Sequence, residues 1–163
     1  MTEAAIARLM DEREILRLNA RYNWACYERD GDAYADLFVP DGVYESGNSG
    51  SRNTGREQLA AGLVAAGQSA WLMGHVTADA VIDIDGDTAT QRVFVLLYRR
   101  ENADGENVFF ASGTYHDRLA RTAEGWKYVH RTSFIDRSNL PWTRYSLSEH
   151  GPADGSSRER SAG

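Results

Sequence analysis

The chain has 163 residues, of which 42% are hydrophobic and 26% are charged, and its formal net charge at pH 7 is −6. This length fits one domain that buries roughly two thirds of its unfolded surface, and the acidic balance argues against nucleic acid as a main partner. No apolar run approaches the about 20 residues that cross a bilayer, and the first residues lack the layout of a secretion signal, so we expect a cytoplasmic protein without a membrane partner.

The first part of the sequence predicts three helices. Asp11 and Glu14 have the spacing of a capping box, in which each side chain binds a free backbone N–H, so the first helix is expected to begin there. Gly31 is expected to end it, and two more helices are predicted over residues 32–38 and 57–66. The apolar stripe of the first helix consists of Ile15, Leu18, Tyr22 and Ala25.

The rest of the sequence predicts strands. A short strand is expected over residues 43–45, followed by a polar loop over residues 46–54. Four further strands with turns between them are predicted over residues 76–84, 88–100, 108–119 and 126–135. Helices followed by an antiparallel meander predict an α+β domain, with the helices packed on one face of the sheet.

Two segments indicate how the chain is organised and assembled. Residues 93–98 are apolar at every position, which is typical of a strand that is covered on both faces. The helices can cover one face, and a second subunit could cover the other, so we expect a homodimer or a higher homo-oligomer. After Leu147 the sequence consists mainly of small and polar residues. This composition predicts a domain over residues 1–147 and a disordered tail over residues 148–163.

His75 is the most informative single residue. It lies in the mostly apolar segment 71–77, and the tyrosine-rich helix segment 21–27 could face it. A histidine with an ordinary pKa of about 6.5 can transfer protons near neutral pH. The combination suggests a small acid–base enzyme that works without a cofactor. The alternative is a histidine that serves only in packing.

The sequence contains no motif for a metal site, a disulfide or a phosphate-binding loop. The four histidines are scattered, without an HxH pair or an HExxH motif, so no metal site is predicted. Cys26 is the only cysteine, which excludes an internal disulfide and a cysteine zinc cluster. The glycine-containing segment 47–50 lacks the lysine and the strand–helix context of a phosphate-binding loop.

Several motifs occur together in the order found in one family. They are Arg21-Tyr22, residues 30–38, Pro40-Asp41-Gly42-Val43, Gly55-Arg56-Glu57, His75, residues 85–89, residues 113–119 and residues 124–127. Over residues 8–138 the chain therefore resembles the SnoaL-like proteins of the nuclear transport factor 2-like superfamily. The resemblance implies a cone-shaped fold, in which a curved antiparallel sheet wraps around three helices and an apolar pocket. The superfamily includes dehydratases, isomerases and polyketide cyclases, so the fold alone does not fix the reaction.

The resemblance also implies roles for individual residues. His75 lies where the bile acid 7α-dehydratase and similar dehydratases place a catalytic histidine, and Tyr22 matches a catalytic tyrosine on the first helix. Tyr27 stands where that dehydratase carries an aspartate that pairs with the histidine. Ser46 replaces the general base of the ketosteroid isomerases, and Tyr115 aligns with their second oxyanion donor.

Further residues are candidates for substrate binding. Trp24 and Tyr27 are expected to form pocket walls. The resemblance implies that Tyr115 points inward, beside small residues that leave room for a ligand. Tyr44 is a weaker candidate on the first strand. Arg131 could reach the pocket from the last strand, with a surface or interface salt bridge as the alternative.

These features predict a cofactor-free, dehydratase-like lyase that acts on a hydrophobic, oxygenated, cyclic small molecule. His75 would act as general base or acid, while Tyr22 and Tyr115 would bind the carbonyl or enolate oxygen. The first alternative is a ketosteroid-isomerase-like isomerase or a polyketide cyclase. The others are a non-catalytic ligand-binding module and an accessory subunit similar to the β subunits of ring-hydroxylating dioxygenases.

Overall fold

A computed structural model describes residues 2–68 and 71–136 of the chain. The helices are α1 (Glu3–Glu28), α2 (Gly31–Ala35) and α3 (Gly55–Gly67). The strands are β1 (Phe38–Ser46), β2 (Arg52–Thr54), β3 (Leu72–Asp85), β4 (Thr88–Arg100), β5 (Val108–Thr122) and β6 (Gly125–Asp136). The predicted tail over residues 148–163 and the end of the predicted domain lie outside the described residues.

Helix α1 begins eight residues earlier than its sequence predicts. The side chain of Thr2 caps it by accepting a hydrogen bond from the backbone N–H of Ala5. Asp11 and Glu14 do not form a capping box, because they lie inside α1 and bind residues at the end of β5 and the start of β6. Asp11 accepts hydrogen bonds from Arg121 at 2.8 Å and from the indole of Trp126 at 3.1 Å, and Glu14 accepts the backbone N–H of Trp126.

The junction between the first two helices also differs from the prediction. Helix α1 ends at Glu28, and Arg29 closes it in the left-handed conformation with φ at 58°. Gly31 begins α2 rather than ending α1, and the Asp30 carboxylate caps α2 by accepting the N–H of Ala33 at 2.9 Å. The predicted end of the second helix, Phe38, is instead the first residue of β1.

Six strands form one sheet in the order β2-β1-β6-β5-β4-β3. β1 and β6 are parallel, and every other neighbouring pair is antiparallel. The predicted meander is confirmed in strands β3 to β6, and so is the α+β class with a curved sheet. Strand β2 was missed, since it has only three residues within a segment that predicts a polar loop. β3 lies at the edge of the sheet, beside α1.

The core lies between α1 and one face of the sheet. On β4 the side chains alternate, so that Val93, Val95 and Leu97 are buried, whereas Phe94 and Leu96 are 58% and 51% exposed. A single chain therefore covers only one face of this apolar strand. Coverage of the other face by a second subunit stays a prediction. Within the described ranges, no helix has the length and apolarity that crossing a membrane requires.

Candidate functional site

A groove between α1 and the edge strand β3 holds the candidate site. Its cavity volume is about 450 Å³, which is in the usual range for pockets that bind small molecules. Helix α1 and strands β3 and β4 all contribute to its wall. The lining side chains with polar or aromatic groups are Asn23, Trp24, Tyr27, His75, Thr77 and Tyr98.

Helical geometry explains why α1 presents three of these side chains together. Tyr27 is four positions after Asn23 and three after Trp24, so it is a neighbour of both on the helix surface. The Asn23 amide donates a hydrogen bond to Thr77 Oγ1 at 2.9 Å, which ties α1 to β3. The rings of Trp24 and Tyr27 meet edge-on at 5.8 Å and remain 62% and 40% exposed. The structure thus places this aromatic pair at the groove wall with His75, while its role in substrate binding stays a prediction.

His75 forms the polar base of the groove. It pairs with Leu97 across β3 and β4, and its ring meets that of the buried Tyr22 edge-on. Its Nδ1 atom is buried and has no hydrogen-bond partner among the described residues. Burial, together with the positive charge of Arg131, lowers the pKa of His75 from 6.5 to about 4. The imidazole is therefore neutral at pH 7. The sequence alone implies an ordinary pKa of about 6.5, so the pKa differs from that expectation.

No carboxylate among the described residues hydrogen-bonds to His75. Tyr27, which stands where similar dehydratases carry an aspartate, has its ring at the groove mouth against Trp24. A neutral imidazole without a carboxylate partner is less strongly polarised than one in a dyad. In the part of the chain that the structure describes, no group of three His, Cys, Asp or Glu side chains is placed to share a metal ion.

Tyr22 and Tyr115 do not line this groove, although the sequence predicts one cavity shared with His75. Both are almost fully buried and pack around the guanidinium of Arg131, whose Cζ lies 4.2 Å and 4.3 Å from their ring centroids. Only Tyr22 reaches His75, edge-on at 6.1 Å between ring centroids. Tyr22 thus contacts the imidazole from behind the groove.

Arg131 lies at neither of the places that the sequence predicts. It is 0% exposed and donates two hydrogen bonds of 2.8 Å to the carboxylate of Asp117, and a third of 2.9 Å to Asn19. Arg131 does form an ion pair, as the alternative prediction has it, but the pair with Asp117 is in the core instead of at a surface or interface. Asp117 and Arg131 are cross-strand partners on β5 and β6, which explains their contact.

A cluster of phenols fills the interior next to Arg131. The ring of Tyr22 packs against those of Tyr34 and Tyr115, at 5.1 Å and 5.6 Å between ring centroids. Tyr44 donates to Ser133 Oγ at 2.9 Å, so it also points inward, yet it is not at the groove wall. Burial raises the pKa of Tyr22 and of Tyr115 well above the ordinary value, and both phenols are therefore neutral at physiological pH.

Sequence reasoning missed three residues of the groove. Asn23 follows Tyr22 on the helix, and Thr77 lies two positions after His75 and hence on the same face of β3. Their positions carried a signal that helical and strand periodicity could have revealed. Tyr98 is less predictable. Its ring lies against Gly74, and a Cβ at that position would collide with the ring, so the glycine before His75 shapes the groove.

A second groove of about 500 Å³ lies across β3 to β6 and includes His116, Arg118 and His130. Its histidines have partners, because His130 contacts Glu45 at 3.1 Å and Arg118 at 3.2 Å, and His116 contacts a threonine hydroxyl. It therefore lacks the unpartnered buried groups of the first groove. The groove at His75 is the better candidate.

Known proteins share this fold. A protein of unknown function from Mycobacterium tuberculosis, Rv3472, is 27% identical, with a TM-score of 0.75, over 93% of this chain and 84% of its own. A nuclear transport factor 2-like protein with a cystatin-like fold from Novosphingobium aromaticivorans is 28% identical, with a TM-score of 0.70, over 80% of this chain and 84% of its own. A candidate scytalone dehydratase from the same organism shares the fold at 22% identity, with a TM-score of 0.71, over 81% of this chain and 88% of its own.

Residues 7–132 match the family described as a SnoaL-like domain, and this range includes both walls of the groove. The match and the shared architecture confirm the resemblance that the sequence motifs indicate. The chain belongs to the SnoaL-like domain family and has the nuclear transport factor 2-like fold.

Proposed function

We propose that the protein is a cytoplasmic, cofactor-free lyase that removes water from a hydrophobic, oxygenated ring compound, with His75 as the group that moves the proton. The observation that supports this most directly is the neutral imidazole at the base of an aromatic-walled groove. Its buried Nδ1 has no partner among the described residues. An unsatisfied buried nitrogen in a pocket is a candidate contact for a ligand.

The proposed reaction needs only one proton carrier. A carbon between a carbonyl and a hydroxyl-bearing carbon loses its proton to the imidazole, and the electron pair of the broken C–H bond moves into an enolate. The enolate then re-forms the carbonyl, a new C=C bond forms, and the C–O bond breaks. The imidazolium returns its proton to the departing hydroxyl, so the products are an unsaturated ketone, water and neutral His75.

The low pKa of His75 suits the first step at neutral pH, because nearly every molecule carries the free base. It also makes the imidazole a weaker base, and the imidazolium a stronger acid toward the leaving hydroxyl. Arg131 contributes to this balance through its charge, and Tyr22 through its contact with the ring. In this proposal both are positioning residues, since neither lines the groove.

Two alternatives remain as outcomes of the test. An isomerase or a cyclase would use the same first proton transfer on a different ketone. A ligand-binding module without catalysis is favoured by one specific observation, which is the tyrosine at position 27 in place of an aspartate that would polarise His75. The module would retain the groove and bind the ring without chemistry.

A suitable experiment uses a β-hydroxytetralone as substrate, because loss of water from this fused-ring hydroxyketone yields a fluorescent naphthol. The proposal predicts naphthol formation that saturates with substrate and exceeds the rate in buffer. A β,γ-unsaturated cyclic ketone, assayed in parallel, reports isomerase activity. Saturable binding of the tetralone without turnover would contradict the proposal and support the binding module.

A further inference from the structure

We propose that Asn23 is a specificity-determining residue, which selects ligands that present a hydroxyl hydrogen beside the group bound by His75. The inference rests on the proposed function only in placing the ligand in this groove. It adds a hydrogen-bonding subsite and narrows the ligand class to hydroxylated rings.

The Asn23 amide is held in one orientation by its neighbour. Its Nδ2 donates to Thr77 Oγ1 at 2.9 Å, so its Oδ1 is turned away from that contact. Oδ1 is buried and has no hydrogen-bond partner among the described residues. A carbonyl oxygen that is desolvated without a partner is costly, and a hydroxyl of a bound ligand would relieve this cost.

The second unpartnered atom lies in the same groove. His75 and Thr77 are two positions apart on β3, which puts their Cα atoms about 7 Å from each other on one face of the strand. Asn23 and His75 both line the groove, and each carries one buried polar atom without a hydrogen-bond partner among the described residues. A compound of one or two rings fits a groove of this volume and would lie beside both side chains.

The rest of the wall favours the ring itself. Trp24 and Tyr27 stand edge-on at the mouth, and Tyr98 lies on the other side of the groove. Aromatic side chains stack on flat or cyclic apolar ligands and leave polar recognition to a few fixed groups. Here Asn23 and His75 are the fixed groups, and Asn23 would accept a hydrogen bond from the ligand.

The inference can be tested with two probes, of which only one carries a hydroxyl hydrogen. α-Naphthol carries the hydroxyl, and its methyl ether has the same rings without a donor. Isothermal titration calorimetry on the full chain should show that wild type binds the naphthol about tenfold more tightly than the ether, the usual contribution of one satisfied buried acceptor. Asn23→Leu should lower naphthol affinity about tenfold and leave ether affinity unchanged.

Three further variants make the result specific. Asn23→Asp retains an acceptor oxygen and should keep the preference for the naphthol. Thr77→Val releases the amide and should reduce the preference. Asn102→Leu, in the exposed turn between β4 and β5, should leave both affinities as in wild type. Unchanged ether binding by Asn23→Leu shows that the groove is still folded.

The outcomes separate this inference from the proposed function. An equal affinity of wild type for both probes, a preference for the ether, or no binding of either probe would overturn the inference. A preference that persists in Asn23→Leu would also overturn it, even if the tetralone is dehydrated. A preference that depends on Asn23 in a protein without turnover would support the subsite and contradict the lyase.

Discussion

The neutral state of His75 has a clear physical origin. Its ring is largely removed from water, and the buried charge of Arg131 acts on it across Tyr22. Both effects disfavour the imidazolium. A histidine in this position is neutral over the whole physiological pH range instead of switching within it.

This behaviour can be measured by NMR titration of the histidine ring nitrogens. His75 should remain neutral as the pH falls below 6.5 and should take up its proton only near pH 4. Since the unfolded chain takes up this proton near 6.5, the free energy of unfolding should decrease as the pH falls through this interval. A midpoint near 6.5 in the folded protein would contradict the buried environment described above.

Tyr22 provides a contrasting case, because it supports the site without lining it. Tyr22→Phe removes a buried hydroxyl from the phenol cluster, but it keeps the ring that contacts His75. We expect a loss of about 1 kcal/mol in the free energy of unfolding by urea denaturation, with turnover changed by less than about tenfold. A loss of turnover comparable to that of His75→Ala would show that the Tyr22 hydroxyl reaches the substrate.

Pairing between strands β5 and β6 determines where the main charges lie. Asp117 and Arg131 face each other across these strands, and three tyrosine rings surround the guanidinium at 4.1 to 4.3 Å. Asn19 on α1 joins the same network. The sheet is thereby linked to α1 through a buried ion pair.

Removing one residue of the Asp117–Arg131 pair should show how much free energy it costs to bury the other charge alone. Arg131→Leu leaves the Asp117 carboxylate uncompensated in the core, so we expect a loss of about 3 to 5 kcal/mol in the free energy of unfolding. The double variant Arg131→Leu with Asp117→Leu should recover much of it, because no buried charge remains. Equal destabilisation of the single and the double variant in urea titrations would contradict this interpretation.

Periodicity predicts those elements whose side chains follow their local pattern. Strand β4 has its predicted bounds, residues 88–100, because turn-forming residues border it on both sides, at positions 85–87 and 102–105. The predicted start of α1 is wrong because Asp11 and Glu14 bind the distant Arg121 and Trp126. Tertiary partners of this kind give no signal in the neighbouring sequence.

The site was predictable to a similar extent. The sequence predicts that the helix segment with Trp24 and Tyr27 faces His75, and all three residues line the groove. The interior position of Arg131 was not predictable, because a charged residue in an alternating strand is normally assigned to the surface. Only the cross-strand register, which depends on the bulge in β6 pairing, puts it opposite Asp117.

Within the described residues, the outer face of strands β3 and β4 carries an apolar patch that the fold of one chain leaves exposed. Val76, Phe94 and Leu96 lie on neighbouring strands, and each is about half exposed. Exposed apolar patches on a sheet are typical of subunit interfaces. We therefore propose that two copies of the chain associate through this face.

Leu96→Glu places a charge in the middle of the proposed interface. Sedimentation at micromolar concentration should show a dimer for wild type and a shift toward monomer for this variant, since the buried carboxylate would be unpaired. Thr90→Glu, on the same strand and also exposed, should remain dimeric. A monomeric wild type would contradict the proposed association.

The central claim is that His75 moves the proton in the groove beside α1. The most direct test compares turnover of a β-hydroxytetralone by wild type, His75→Ala and His116→Ala, each verified as folded by circular dichroism. We predict that His75→Ala lowers turnover by about 10² to 10⁴, the usual effect of losing a general acid or base, while His116→Ala retains wild-type turnover. Full turnover by folded His75→Ala would contradict the claim.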